Sequence, residues 1–277
     1  GTNFYNESGP FENSHTDYKV GAEYDLTANS MLWADYSTGY KMGFQGRDAQ
    51  TLKSYQVGEK SRFLDNTLQL NATVYYYDYQ NFQIDAGSID VNGEEYRGSG
   101  MGKAQIYGLD LSTRYIITPQ DHINFALAYL NANIDSATVI YSNMAGVELD
   151  PVVLTSDLPP LNGSPKYTVT GSYEHIFNLS GGGNITPHID VRYQTEKTLQ
   201  FQPRPVAGYD IDKLNTEPAH LMADASLTYY DASGKWSING YVKNVTNHAE
   251  KTGFYMGVDY LQIGPPRTYG ATMTVKF

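Results

Sequence analysis

Apolar and polar residues alternate along many short segments of this chain, which indicates β-strands with two different faces. The apolar face of segment 267–277 carries Tyr269, Ala271, Met273, Val275 and Phe277. The same period of two residues recurs at 68–76, 185–193 and 221–229. A soluble β-sandwich alternates in the same way, so no single strand distinguishes a sandwich from a sheet that faces lipid.

Short and long connections alternate between these segments. Short polar turns lie at 27–30, 64–67, 118–121, 178–184 and 231–235. Longer polar, glycine-rich and aromatic-rich stretches lie at 38–53, 80–102, 132–164, 195–219 and 247–266. A sheet that meanders through a bilayer has this arrangement, because one rim only reverses the chain while loops grow at the other. The pattern therefore predicts an all-β, antiparallel transmembrane barrel meander with a short-turn rim and a long-loop rim.

The strand count predicts that the barrel is larger than this sequence. We predict eleven strands, at roughly 16–26, 30–39, 53–63, 67–79, 103–117, 121–132, 165–178, 184–195, 219–231, 235–246 and 267–277. Bacterial single-chain barrels usually have an even number of strands. Residues 1–10 also lack the basic and apolar character of a signal peptide. We therefore expect residues 1–277 to be the C-terminal part of a barrel, forming alone an open curved sheet with unpaired first and last strands.

Aromatic positions and composition agree with a sheet in lipid. Tyr269 and Phe277 are separated by roughly 20 Å of vertical span on a tilted strand, which approximates a bilayer core. The chain has 277 residues, no cysteine and a net charge of −11, and its mean hydropathy is −0.46. No apolar run approaches the roughly 18 residues of a membrane helix. The acidic balance argues against a nucleic-acid partner, which would need clustered Lys and Arg.

Several stretches resemble one family and keep that family's order over about residues 30–277. They are 36–43 (YSTGYKMG), 54–65 (SYQVGEKSRFLD), 68–83 (LQLNATVYYYDYQNFQ), 102–110 (GKAQIYGLD), 236–247 (WSINGYVKNVTN) and 264–277 (GPPRTYGATMTVKF). These stretches resemble the C-terminal half of the barrel of TonB-dependent outer-membrane receptors, although Asp110 stands where the family more often has glutamate.

The resemblance implies a barrel of about 22 strands, closed by an N-terminal plug that carries the TonB contact segment. No stretch of this sequence resembles either part. It further implies the outer membrane of a Gram-negative bacterium and TonB-energised uptake of a scarce solute into the periplasm. Iron–siderophore complexes are the commonest solutes of the family, and cobalamin, haem and saccharides are others.

The long-loop rim holds the candidate ligand contacts, because specificity varies most in exposed loops. Aromatic faces with a few cations suit a flat, partly anionic chelate such as a ferric siderophore. The candidates are Tyr40, Phe44, Arg47, Tyr96, Arg97, Phe201, Arg204, Tyr209, Tyr255 and Tyr260. Loop aromatics often pack against one another instead, and that alternative stays open for each of them.

Two further groups have predicted roles. Phe277, Val275, Met273 and Tyr269 share the lipid face of the last strand and resemble the terminal signal that the barrel assembly machinery reads. Their alternative role is simply to end an edge strand against lipid. Inward polar residues are expected to meet one another, water or the plug; they are Asp110, Arg114, His188, Asp190, Arg192 and Asp224.

The sequence offers little support for an enzyme or a cofactor. It lacks a Gly-x-Ser-x-Gly elbow and a His-Glu-x-x-His zinc helix. Its histidines, at positions 15, 122, 175, 188, 220 and 248, are scattered without ligand spacing, so we predict no metal site. Asp210, Asp212 and Glu217 are interpreted as a solvated loop rather than a calcium site. The remaining alternative is a complete small outer-membrane barrel that acts as a passive pore, an adhesin or a barrel enzyme.

Overall fold

The structure, a computed structural model, describes residues 14–43, 48–155, 158, 160–201, 214–255 and 260–276. The strands in these ranges are β1 (Lys19–Thr27), β2 (Ser30–Lys41), β3 (Gln50–Phe63), β4 (Leu68–Val91), β5 (Glu94–Thr118), β6 (Asp121–Ser142), β7 (Val152–Leu154), β8 (Tyr167–His175), β9 (Phe177–Asn178), β10 (Asn184–Gln194), β11 (Lys197–Thr198), β12 (Thr216–Glu217), β13 (His220–Tyr230), β14 (Trp236–Lys243), β15 (Lys251–Tyr255), β16 (Tyr260–Ile263) and β17 (Thr268–Val275). None of the helical residues in these ranges forms a helix long and apolar enough to span a bilayer.

The main sheet is an antiparallel meander with the predicted number of long strands. Its order is β1-β2-β3-β4-β5-β6-β8-β10-β13-β14-β17, so eleven strands follow one another along the chain. The short strand β7 pairs with β6, and β9 pairs with β10. Within the described ranges β1 pairs only with β2, and β17 pairs only with β14. The predicted open sheet with two unpaired edges is therefore confirmed.

One face of this sheet is apolar and uncovered. Val57, Val74 and Leu227 lie on that face and are 58%, 58% and 53% exposed. Tyr36, Tyr55, Tyr76 and Tyr107 are direct partners across β2 to β5 and form a row of rings on the same face. Neither a second sheet nor a helix of the described residues covers these side chains, which is the arrangement that the alternation predicts for a wall in lipid.

The predicted loop at 80–102 is wrong. Strands β4 and β5 continue through it for 24 and 25 residues in all. They are joined by a tight turn at Asn92 and Gly93, whose φ angles are +58° and +84°. Asn-Gly favours this two-residue hairpin turn, because both positions tolerate positive φ. The glycine-rich stretch 98–102, which belongs to that predicted loop, is likewise part of β5.

Strand β6 also extends into the predicted loop 132–164, as far as Ser142. A strand crosses a bilayer with about 9 to 11 residues, so roughly half of β4, β5 and β6 projects beyond the wall on the long-loop side. The last two long connections hold the small pairs β11-β12 and β15-β16. The long-loop rim is thus built of strands to a greater extent than the sequence predicts.

Candidate functional site

The face opposite the apolar one is polar and concave. A recess of about 650 Å³ runs across β4, β5, β6, β8, β10 and β13, and Arg114, Asp190, Arg192 and Asp224 line it. Within this face His188 Nε2 lies 2.9 Å from Asp190 Oδ2. The prediction that inward polar residues meet one another is confirmed for this pair.

An apolar cluster lies above the wall, where β4, β5 and β6 project. We call it the apolar rim cluster, and it consists of Ile84, Ala86, Tyr96, Ala104, Ile134, Ala137, Val139, Tyr141 and Phe201. Two predicted ligand residues belong to it: Tyr96 is 7% exposed and Phe201 is 2% exposed. Both rings are packed inside this cluster, so little of their surface is accessible to a solute. Their predicted contact with a solute stays a prediction.

The other described candidates are more accessible. The Tyr40 ring stacks on His15 with centroids 4.1 Å apart. The Arg97 side chain is 73% exposed and lies 3.5 Å from Glu95 Oε1. Tyr260 is 54% exposed and is the backbone partner of Tyr255 in the β15-β16 hairpin. Phe44, Arg47, Arg204, Tyr209 and the Tyr255 side chain lie outside the described residues.

A network of buried and partly buried polar side chains joins the last two long connections to the wall. We call it the polar rim hub, and it consists of Arg192, Gln194, Lys197, Glu217, His220, His248 and Glu250. Glu250 Oε2 accepts a 2.8 Å hydrogen bond from Arg192 Nη2. Its Oε1 accepts bonds of 3.2 Å from Gln194 Nε2 and 3.0 Å from Lys197 Nζ. Burial opposes ionisation of Glu250, but Lys197 and Arg192 outweigh it and hold the pKa of this carboxyl below its usual value.

Asn244 positions the chain that leads from β14 to the hub. Its φ is +52° and it is 4% exposed. The side chain donates to the carbonyl oxygens of His248 at 2.9 Å and Pro265 at 3.2 Å, and its Oδ1 accepts from His248 N at 3.0 Å. The backbone N–H of Asn244 also donates to Asp224 Oδ1 at 2.7 Å. Asn244 therefore places the His248 ring relative to the wall.

Glu217, His220 and His248 come together in the hub although the sequence analysis found no ligand spacing among the histidines. His248 Nε2 lies 2.6 Å from Glu217 Oε1, and His220 Nδ1 lies 3.1 Å from the same oxygen. The imidazole rings stack with centroids 4.3 Å apart. His220 faces inward because it follows the period of Met222 and Asp224, and the sequence could have shown that. It could not show that the chain after β14 folds back over Glu217.

The proposed assembly signal lies on the last strand. Tyr269, Met273 and Val275 are 81%, 61% and 46% exposed on the edge strand β17, as expected for side chains directed at lipid. Phe277 lies outside the described residues. Recognition by the assembly machinery stays a prediction.

Comparison with known proteins identifies one family. The family model described as TonB dependent receptor-like, beta-barrel, matches residues 1–245. A curated relative is the probable TonB-dependent siderophore receptor PiuA of Acinetobacter baumannii. It is 20% identical over 256 residues, a stretch that covers 86% of this chain and 30% of the relative.

Solved structures show the same fold. The ferric-catecholate import receptor Fiu of E. coli K12, in its closed form, matches with a TM-score of 0.69 and 17% identity, over 94% of this chain and 35% of that protein. The ferric yersiniabactin uptake receptor FyuA of Yersinia pestis matches with a TM-score of 0.66 and 18% identity, over 94% of this chain and 37% of its own. The chain thus spans about a third of the length of the relatives that it matches.

Proposed function

Because the chain belongs to the TonB-dependent receptor-like β-barrel family, found in the outer membrane of Gram-negative bacteria, we propose that it serves uptake of a scarce solute through that membrane. The solute that we propose is a ferric siderophore, taken to the periplasm with energy from TonB. The chain would supply about eleven strands of the barrel wall and part of the long-loop rim. In this role the protein is a receptor, not an enzyme.

The observation that carries this proposal is the two-faced open meander itself. Its apolar face suits lipid, and its concave face suits a polar lumen or a plug that contacts TonB. Receptors of ferric siderophores share this architecture over 94% of the chain. Among the described residues, the edges at β1 and β17 leave unpaired backbone groups where further strands of a wall would bind.

Exposed rim residues are the proposed solute contacts. Tyr260 is 54% exposed and the Arg97 side chain, paired with Glu95, is 73% exposed, so this rim presents both an aromatic residue and a guanidinium group to solvent. Ferric siderophores are often flat and anionic, and such ligands interact favourably with rings and guanidinium groups. Tyr40 and Tyr255 belong to the same proposal, as do Phe44, Arg47, Arg204 and Tyr209.

The last strand is proposed to carry the signal that the barrel assembly machinery reads. The residues of this proposed signal are Phe277, Val275, Met273 and Tyr269.

Uptake in a receptor-deficient host tests the proposal. The complete gene that encodes this chain would be expressed in an E. coli strain without its own siderophore receptors, and uptake of a panel of radiolabelled ferric siderophores would be measured. We expect uptake of at least one siderophore, and loss of that uptake when tonB is deleted. Uptake that persists without TonB would indicate a passive pore, and absence of both binding and uptake for the whole panel would contradict the proposal.

A double substitution tests the rim contacts. Tyr255→Ala with Tyr260→Ala should weaken binding of the transported siderophore, because two rings at one hairpin are lost. Tyr107→Ala is the matched control, since Tyr107 is 40% exposed on the lipid face. Equal affinity in the double variant and the control would remove Tyr255 and Tyr260 from the proposed contacts.

A further inference from the structure

The polar rim hub contains a buried carboxylate whose ion-pair partners, among the described residues, are imidazoles. Glu217 is 1% exposed, and among the described residues its ion-pair partners are His220 and His248, with no Lys or Arg. Its other oxygen accepts the Lys251 backbone N–H at 2.9 Å. A buried carboxylate without a cation is unstable. A cation bound between these side chains would supply such a charge to Glu217.

One ring nitrogen of His220 has no hydrogen-bond partner among the described residues. Its Nδ1 lies 2.9 Å from the Pro218 carbonyl oxygen, and a carbonyl oxygen only accepts, so Nδ1 carries a proton. His220 is 7% exposed, and its Nε2 is buried without a hydrogen-bond partner. Glu250 Oε1 lies 3.6 Å from this Nε2. A backbone carbonyl that fixes one ring nitrogen and leaves the other as a lone pair is the usual arrangement of a metal-ligating histidine.

We propose that Glu217, His220 and His248 form a site for a divalent transition-metal ion of the zinc class. One ligand atom of each residue lies within 4.8 Å of those of the other two. Ligand atoms around tetrahedral zinc are about 3.3 Å apart, given metal–ligand distances of roughly 2.0 to 2.1 Å. The 2.6 Å between His248 Nε2 and Glu217 Oε1 must then widen by less than about 1 Å. The His248 side chain is 29% exposed and that of His220 only 4%, so we expect the His248 ring to move the more readily of the two.

The donor set selects the class of ion. Two imidazole nitrogens and one carboxylate oxygen suit Zn²⁺, Ni²⁺ or Cu²⁺, whereas Mg²⁺ and Ca²⁺ prefer oxygen ligands alone. Zn²⁺ is the ion that we assign, because two histidines and one glutamate are an established zinc donor set. A water molecule would complete the four-coordinate geometry.

The site connects three parts of the rim that are distant in sequence. Glu217 belongs to β12, His220 begins β13, and His248 follows the turn that Asn244 forms. A bound ion would tie the β11-β12 pair and the segment before β15 to the top of the wall. It would hold the last two long connections in one arrangement on the lumen side of the long-loop rim. This role is separate from the proposed siderophore uptake, since it needs no siderophore.

Zinc binding to the purified protein tests the inference. The full-length receptor, purified in detergent and treated with a chelator, would be titrated with Zn²⁺ and, for spectroscopy, with Co²⁺. We expect one strongly bound equivalent and Co²⁺ absorption bands of a site with nitrogen ligands. His248→Ala and Glu217→Gln should each weaken Zn²⁺ binding by more than about tenfold, because each removes a ligand.

His122→Ala is the matched control, since His122 lies at the short-turn rim beside Glu174 at 3.1 Å. It should bind Zn²⁺ like the unsubstituted receptor. Thermal unfolding would establish that each variant is folded, and Glu217→Gln, which keeps the side-chain size, would replace His248→Ala if the latter failed to fold. The inference is overturned if the folded receptor binds no Zn²⁺, or if both ligand variants bind it as tightly as the control. Siderophore uptake that persists in either case would leave the proposed function intact.

Discussion

Two sides of the long-loop rim are built from different kinds of contact. Above β4 to β6, the apolar rim cluster holds extended strands together through rings and aliphatic side chains such as Tyr141 and Val139, both 0% exposed. Above β10 to β14, the polar rim hub joins the last two long connections to the wall through Arg192, Glu250 and their partners. Apolar packing is non-directional and depends little on pH, whereas buried charges depend on every partner and on protonation.

The difference matters for how each side can respond to its surroundings. The apolar side is continuous with three strands of the wall, so its position follows from the sheet. The polar side is attached mainly through Asn244 and the ion pairs of Glu250. Local opening is therefore expected more readily on the polar side, since directional contacts that share partners are lost together.

Tyr141→Ala should have the largest effect, on the apolar side. Gly98 lies against this ring, because a Cβ at Gly98 would stand 2.5 Å from Tyr141 Cε1. Removing a fully buried aromatic side chain costs about 3 to 5 kcal/mol. We expect fast amide hydrogen exchange in 82–102 and 134–142 of the full-length receptor in detergent, while exchange in the hub stays unchanged.

Tyr260→Ala is the matched control for this substitution, because Tyr260 is 54% exposed and outside the cluster. Its exchange pattern should resemble that of the unsubstituted receptor. Slow exchange in the projecting strands of the Tyr141 variant would mean that backbone pairing alone holds that side.

The alternating pattern predicts the wall well, because a strand between lipid and a lumen must alternate at every step. The same pattern fails at the hairpin formed by β4 and β5, where both faces lie outside lipid. There the informative signal is Asn92-Gly93, which favours a two-residue turn and should have outweighed the glycine-rich composition of 98–102. Giving more weight to the Asn-Gly pair would have predicted a hairpin in place of the loop at 80–102.

The hub could not be predicted in the same way. His248 and Glu217 are 31 residues apart and belong to connections whose return path no local period encodes. Phe201 is a second example. Its ring is as suitable for contact with a ligand as for packing, and it is buried because of where β4 to β6 lie, which the sequence near Phe201 does not show. Residue type in a long loop predicts the available chemistry, and tertiary contacts decide its use.

Asn244→Ala should have the next largest effect, on the polar side. It removes the bonds to His248 and Pro265 from a buried position, and unsatisfied groups there cost about 1 to 3 kcal/mol. Positive φ adds strain of about 1 kcal/mol for alanine. We expect rapid proteolysis within 244–266 of the full-length receptor, with the projecting strands still protected.

Asn247→Ala separates these two causes. Asn247 has a φ of +54° but is exposed, so its substitution adds the backbone strain without the loss of buried hydrogen bonds. Its cleavage rate should lie between those of the unsubstituted receptor and the Asn244 variant. Equal rates in the two variants would assign the whole effect to the backbone.

Acid should produce the smallest effect, and only on the polar side. The pKa of Glu250 is lowered in the folded protein because Lys197 and Arg192 outweigh its burial. The ion pairs therefore stabilise the hub above the pKa of an unfolded glutamate, about 4.3, and this contribution is lost as the pH falls through the lower folded value. Hydrogen exchange in 192–197 and 248–251, corrected for its intrinsic pH dependence, should accelerate between pH 5 and 3, whereas exchange in the apolar rim cluster should not.

Glu250→Gln gives the matched test of that comparison. It keeps the size of the side chain and can still accept from Arg192, but it has no carboxyl to titrate. The hub of this variant should exchange faster than that of the unsubstituted receptor at neutral pH, because Lys197 and Arg192 lose their counterion, and it should respond less to acid. An equally strong acid response in the variant would show that titration of Glu250 is not its cause.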